Sequence, residues 1–168
     1  MRVLITGICG FVGGYLYRHL IQAGHIVCGT RLENEKIPDH LRDTDIFVMD
    51  LTDKEAVEAV LRESKPDAIC HLAAQSSVAL SWKDPAMTYN VNVIGTINLL
   101  ECLRTLEMNP RILLVGSSEE YGKVTPDEIP ISEDHSQRPG NPYAASKAGQ
   151  EMLGRLYADA YGMEIIMV

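Results

Sequence analysis

What the chain lacks narrows what it can be. No apolar run approaches the roughly 18 residues needed to cross a membrane, and the first residues enter a strand pattern where a secretory leader would show a charged and then apolar layout. A cytoplasmic protein is expected. No basic run interrupts a formal net charge of −8, which argues against a nucleic-acid surface and for a small-molecule partner. Cys9, Cys28, Cys70 and Cys102 form no C-x-x-C pair and sit in apolar surroundings, so they read as reduced, mostly buried thiols. The five histidines show no ligand spacing, and no metal is expected. There is no internal repeat and no low-complexity segment. With 168 residues, 46% hydrophobic and 23% charged, residues 1–168 read as one globular domain with a sizeable core.

The most informative stretch is Thr6-Gly7-Ile8-Cys9-Gly10-Phe11-Val12-Gly13-Gly14. A short apolar strand runs into three glycines at three-residue intervals, and a helical apolar pattern begins at once. Gly7 permits a sharp turn, Gly10 permits close approach of a pyrophosphate, and Gly13 permits tight packing of helix on strand. The free N–H groups and positive dipole end of the helix would face the phosphates. A dinucleotide is the expected occupant.

Further along, Phe11 to Ala23 reads as a helix closed by Gly24, and His25 to Thr30 as a second strand. An acidic residue at the end of this strand accepts ribose hydroxyls in NAD enzymes of such architecture, whereas an arginine accommodates a 2′-phosphate. Here the strand ends Gly29-Thr30-Arg31, which favours NADP over NAD, unless Arg31 is simply a solvated loop residue. Glu33 to Asp45 reads as a surface loop, Ile46 to Met49 as a third strand, and Asp53 to Ser64 as a helix stopped by Pro66. Asp50 would cap that helix less well than Thr52 or Asp53.

Ala68 to Leu72 reads as a fourth strand ending in Ala73-Ala74, small enough for a flat ligand to lie against the backbone. His71 reads as a core histidine. A long helix is expected from Pro85 to about Leu106, a fifth strand over Arg111 to Val115, a helix opening at Pro142, and a sixth strand over Met163 to Val168. Uninterrupted alternation of strand and helix implies a Rossmann-type, doubly wound parallel sheet with helices on both faces. Its ligand belongs at the carboxyl ends of the strands.

Chemistry is expected from two segments. Gly116-Ser117-Ser118-Glu119-Glu120-Tyr121-Gly122 follows the fifth strand, and Pro142-Tyr143-Ala144-Ala145-Ser146-Lys147 opens a helix. Tyr143 and Lys147 are four residues apart and share a helix face. A nearby ammonium favours phenolate and makes a phenol a better acid-base catalyst at neutral pH. A serine hydroxyl at the adjacent strand end, Ser117 or Ser118, can orient the substrate oxygen that Tyr143 protonates or deprotonates.

The glycine spacing, the Ser-Ser strand end and the Tyr-x-x-x-Lys pair together resemble the extended branch of the short-chain dehydrogenase/reductases. The resemblance covers the whole chain and includes His71-Leu72-Ala73-Ala74 and Asn92 to Thr96. It implies that Phe11, Val12, Asp50, Leu51, Leu72, Ala73 and Ala74 contact an NAD or NADP cofactor, with Asp50-Leu51 beside the adenine. It also implies that Lys147 binds the nicotinamide ribose.

Gly116 to Gly122 and Gln75 to Val78 look like GDP-6-deoxy-4-keto-D-mannose reductases, which make GDP-D-rhamnose. GDP-mannose 4,6-dehydratases carry Thr-Ser-Glu before Tyr-Gly and Gly-Gln-Asp-Gly in the nucleotide turn, where this chain has Ser117 and Gly10-Phe11-Val12-Gly13. Glu119 matches the dehydratase base, but the reductase-like pattern also retains a glutamate there. The resemblance implies a nucleotide-sugar substrate and a homodimer in the full-length enzyme. In the family a substrate-binding lobe follows the sixth strand; that lobe is absent here, so an N-terminal fragment of a longer enzyme is expected. A small module that binds NAD(P) without turnover is the alternative from another class.

Overall fold

The computed structural model describes residues 1–168. Six parallel strands form one sheet: β1 (Arg2–Thr6), β2 (Ile26–Arg31), β3 (Asp45–Val48), β4 (Ala68–His71), β5 (Arg111–Leu114) and β6 (Ile165–Met167), in the order β3-β2-β1-β4-β5-β6. The chain winds outward from β1 in both directions, so its order reverses between β1 and β4. In open sheets of this kind the crevice beyond that reversal is the usual ligand position.

Six α-helices accompany the sheet: α1 (Phe11–Gln22), α2 (Lys54–Ser64), α3 (Val78–Lys83), α4 (Pro85–Tyr89), α5 (Gly95–Thr105) and α6 (Pro142–Tyr161). Strand residues alternate between two cores. Val3, Ile5 and Val27 pack with Leu16 and Leu20 of α1, while Leu4, Cys28, Ile69, Ile112 and Leu114 pack with Val57 and Leu61 of α2 and Leu99 and Leu103 of α5. The period-two alternation places helices on both faces.

Several ends follow from local chemistry. Asp53 caps α2 by accepting from the N–H groups of Glu55 and Ala56, which leaves Asp50 free of that duty. Gly24 takes φ +81° just past α1, a conformation that costs glycine little.

Three expectations need correcting. Glu33 to Asp45 is not wholly a surface loop, because a 3-10 turn at Asp39–Leu41 buries Leu41 completely in the α1-side core. Helix α3 was not expected; its six residues are too few for periodicity to register, and Ser77 caps it. The long helix after Pro85 is interrupted by a π turn over Asn90–Ile94, which turns Asn92 into the interior. Such single π turns concentrate at functional sites.

Candidate functional site

β1 ends at Thr6, and the chain turns at Gly7 with φ +69°. Two bonds from β2 hold the turn: the Gly7 N–H donates to Thr30 Oγ1 at 3.2 Å and the Ile8 N–H to the Thr30 carbonyl at 3.0 Å. At Gly13 a Cβ would lie 2.5 Å from the Ile8 carbonyl oxygen, so packing of α1 against the turn forbids any side chain. Gly10 differs. A Cβ there would meet only the Gly7 carbonyl oxygen, at 3.3 Å, and the residue is exposed. The chain would have to give by only a few tenths of an ångström to admit a side chain there, whereas a phosphate laid on the turn would exclude one. No side chain caps the start of α1 either, so its first N–H groups are free for an anion.

Beyond the turn lies a cavity of about 400 Å³. Gly7, Gly10, Phe11, Val12, Gly13, Arg31, Asp50, Leu51, Leu72, Ala73 and Ala74 all line it, so residues from four strand ends meet around one space. Phe11 is 82% exposed, a large apolar side chain unburied at the mouth. Thr6 shapes the opposite wall, because its Oγ1 accepts from the N–H groups of both Leu72 and Ala73 at 3.1 Å. Asp50 Oδ1 accepts from the Thr52 N–H at 2.8 Å and its hydroxyl at 2.7 Å, which fixes the carboxylate on the rim. Cavity and free helix terminus fit a dinucleotide.

Arg31 also lines the cavity, but its Nη1 donates to the carbonyls of Leu32, Glu33 and Glu35 at 2.8, 2.7 and 3.1 Å. The guanidinium thus organises the loop it belongs to through Nη1, its Nε is buried without a partner, and Nη2 is left for a ligand. Glu35 lies in the same wall, its carboxylate accepting from the Leu32 N–H at 2.8 Å. The strand-end pattern did not reveal this carboxylate, since it arrives through a loop four residues later.

A second cluster surrounds the end of β5 and the start of α6. Ser117 is half-buried and caps a 3-10 turn over Ser118–Tyr121, its Oγ accepting from the Glu119 N–H at 3.3 Å, which leaves the hydroxyl proton to donate elsewhere. Ser118 is exposed. Glu119 is exposed as well, with Oε2 accepting from Asn141 Nδ2 at 2.8 Å, and Asn141 in turn caps α6. Tyr143 is half-buried in the first turn of α6. Lys147, one turn on, is only 4% exposed, and its Nζ donates to Gln150 Oε1. Burial pushes the Lys147 ammonium down to about 8, with the charge of Glu120 acting in the opposite direction.

His71 is a core histidine. It is buried, with Nδ1 paired to Thr6 Oγ1 at 2.9 Å and Nε2 to Thr96 Oγ1 at 3.2 Å. Burial, and secondarily the Lys147 charge, drives it down to about 3, so the ring is neutral at physiological pH.

The tertiary structure adds groups that spacing did not single out. Asn92 ties the loop after β4 to α6: its Oδ1 accepts from the Gln75 N–H at 2.8 Å, and its Nδ2 donates to the Gln75 carbonyl at 3.0 Å and to Ser146 Oγ at 2.9 Å. Glu120 is buried beneath Ser117. The sequence marks Asn92 only as part of the Asn92 to Thr96 resemblance, with no role attached, and the resemblance points to Glu119 while nothing points to Glu120.

A parallel sheet with a glycine turn at its switch point, a cavity beyond it and a Tyr-x-x-x-Lys helix beside it defines a Rossmann-type nucleotide-binding architecture. Residues 4–168 match the family described as GDP-mannose 4,6 dehydratase, and the chain belongs to that family. It is 32% identical to the GDP-6-deoxy-D-mannose reductase of Pseudomonas aeruginosa, over 99% of this chain and 50% of that protein. Among solved structures, the UDP-glucose 4-epimerase of Thermus thermophilus in complex with NAD superposes with a TM-score of 0.89 at 35% identity, over 99% of this chain and 54% of that one. The structure of RMD from Pseudomonas aeruginosa complexed with NADPH superposes with a TM-score of 0.81 at 30% identity, over 99% and 52%. The chain spans about half the length of the curated relatives it matches.

Proposed function

We propose that this chain is the NAD(P)-binding Rossmann domain of a nucleotide-sugar oxidoreductase, and that the whole protein reduces the C4 keto group of GDP-4-keto-6-deoxy-D-mannose to give GDP-D-rhamnose. The observation that carries the cofactor assignment is Gly10, bare where packing alone would resist a side chain only slightly, at the mouth of a cavity beside a free helix terminus. The reductase assignment draws on the Gly116 to Gly122 segment and on the likeness to the Pseudomonas aeruginosa reductase. NADPH is the favoured form, on the strength of the Arg31 Nη2 group, which is not spent on the loop.

When bound, the reduced nicotinamide supplies the hydride that reaches C4. Tyr143 gives its phenolic proton to the C4 oxygen, and the Ser117 hydroxyl donates to that same oxygen and orients it. Lys147 binds the ribose and favours the phenolate left on Tyr143. Its burial keeps the ammonium close to its deprotonation point, so charge near the phenol is adjustable near neutrality.

A second reading is a GDP-mannose 4,6-dehydratase, favoured by the family's own description and by Glu119, exposed on the turn beside Ser117 where a base could reach a sugar. The whole protein decides between them. Consumption of GDP-4-keto-6-deoxy-D-mannose with oxidation of NADPH, and only a small loss in Glu119→Gln, is expected. Conversion of GDP-mannose to a 4-keto-6-deoxy sugar without net cofactor use, lost about a hundredfold to ten-thousandfold in Glu119→Gln, would replace the reductase with the dehydratase.

A further inference from the structure

Glu120 is a buried acid with no ion-pair partner. It is 2% exposed and stands at the carboxyl end of β5, where Oε1 accepts from the Ser117 N–H at 2.8 Å and Oε2 from Gln137 Nε2 at 3.0 Å. The same Gln137 nitrogen donates to Glu151 Oε2 of α6 at 2.7 Å. Two carboxyl groups from different elements therefore converge on one amide nitrogen.

The charged and titratable groups around them are few. From α6, Arg155 holds Glu151 through Nε at 3.0 Å and Nη2 at 2.6 Å, and the buried Lys147 ammonium, its Nζ bonded to Gln150, is near enough for its charge to act on Glu120. From the loop before α6, Arg138 turns its guanidinium to Glu128 at 3.7 Å, and His135 bonds the same Glu128 at 3.2 Å. Tyr121 stacks edge-on against His135.

Glu151, paired with Arg155, is the carboxyl that keeps its charge. A buried carboxylate beside the half-buried carboxylate of Glu151 is repelled by it, and placing one proton on Glu120 removes that repulsion. Burial first, and then the bond to and charge of Glu151, push the Glu120 carboxyl up to about 7. Burial opposes ionisation of Glu151, yet Arg155, Glu120 and Gln137 hold it below the usual carboxylate range. Gln137 and Glu151 also line a solvent-open cleft of about 180 Å³ with Tyr121, Glu133, His135 and Arg155, so a further carboxylate faces it, and it shares no residue with the dinucleotide cavity. The proton has a way in that a bound cofactor would leave open.

We propose that Glu120 is a positioning residue that shares a single proton with Glu151, holds the backbone of Ser117, and sets the charge that Lys147 faces. The inference rests on the reading of Ser117 and Lys147 as parts of the reaction site. With Glu120 protonated, Lys147 looks onto a neutral acid and releases its own proton more readily; with Glu120 ionised, Lys147 holds it more tightly. Solvent protons would thus reach the charge on α6 through a cleft that shares no residue with the dinucleotide cavity.

NMR titration of protein carrying 13C-labelled glutamate and lysine side chains tests this, in the parent and in the Glu151→Gln and Glu120→Gln variants. The Glu120 carboxyl is expected to titrate near neutrality in the parent and at lower pH in Glu151→Gln. The Lys147 ammonium is expected to titrate below about 8 in Glu120→Gln. A Glu120 midpoint in the ordinary carboxylate range, or one unmoved by Glu151→Gln, would overturn the shared proton; an unmoved Lys147 would overturn the positioning role. If Glu120→Gln does not fold, the parent and Glu151→Gln still decide the first point, and Glu120→Asp, with its carboxyl withdrawn by one methylene, decides the second by the same shift. Calorimetry with NADPH on the same parent sample keeps the two readings apart: absent binding with a neutral Glu120 midpoint refutes the cofactor assignment alone, and binding with an ordinary midpoint refutes the carboxyl pair alone.

Discussion

Asn92 Nδ2 donates to Ser146 Oγ at 2.9 Å, and Ser146 Oγ donates to the Tyr143 carbonyl at 2.7 Å. One buried amide in the π turn therefore reaches the backbone of the turn that carries Tyr143. Its removal in Asn92→Ala strands the Gln75 N–H and the Gln75 carbonyl, while Ser146 keeps its bond to the Tyr143 carbonyl, at about 1–3 kcal/mol for each buried group left unsatisfied. Urea denaturation should show a loss of that order. Cofactor affinity should fall as well, because the loop after β4 is released.

Gly10 and Gly13 should respond differently to valine. A side chain at Gly13 collides with the Ile8 backbone, so Gly13→Val should lower the melting temperature strongly. Gly10→Val meets no such obstacle and should melt close to the parent, while losing measurable binding of NADPH and NADH in calorimetry. Undiminished binding by a folded Gly10→Val would remove the glycine turn from the cofactor site.

Arg31→Ala removes three loop hydrogen bonds as well as a cation, so affinity for both cofactors should decline. The decline should be about tenfold to a hundredfold larger for NADPH, which alone carries a phosphate for the guanidinium to hold. Equal losses would reduce Arg31 to a loop fastener. Glu35→Gln should shift the balance the other way, improving NADPH relative to NADH by relieving repulsion of that phosphate.

Lys147 should cost stability at neutral pH. Its folded-state value of about 8 lies below the ordinary 10.5, so between those values the unfolded chain binds more protons and stability rises with pH. Lys147→Met should therefore gain up to about 3 kcal/mol on the parent at pH 7, set against a pH-independent loss of about 1–3 kcal/mol for the buried Gln150 Oε1 left without its donor, and the gain should shrink as pH climbs from about 8 towards 10.5. Melting curves across that range read it directly; a gain independent of pH would mean that the ammonium is not buried as described.

What could be read from the residues alone was whatever depends on neighbours along the chain. The strand, turn and helix around Gly7 to Gly13 are local, as are the caps at Asp53 and Gly24 and the four-residue spacing of Tyr143 and Lys147. Alternation of strand and helix then restricts the topology to a parallel, doubly wound sheet, because crossovers of one hand leave few others. Those patterns named Gly7, Gly10, Gly13, Arg31, Ala73 and Ala74, the family resemblance supplied Phe11, Val12, Asp50, Leu51 and Leu72, and all of them line a single cavity.

Long-range pairing decided the rest. Thr30 meets Gly7 only because β2 lies in register beside β1, with Ile5 opposite Gly29. Asn92 finds Ser146 across 54 positions, and Glu120 finds Gln137 and then Glu151 across the loop and α6. Burial of these polar groups depends on which elements close over them, and burial is what shifts Glu120 and Lys147 from their ordinary titration ranges. Spacing along a chain fixes which side chains share a helix face, but the solvent exclusion that gives a carboxyl or an ammonium its chemistry arises only when distant segments pack together.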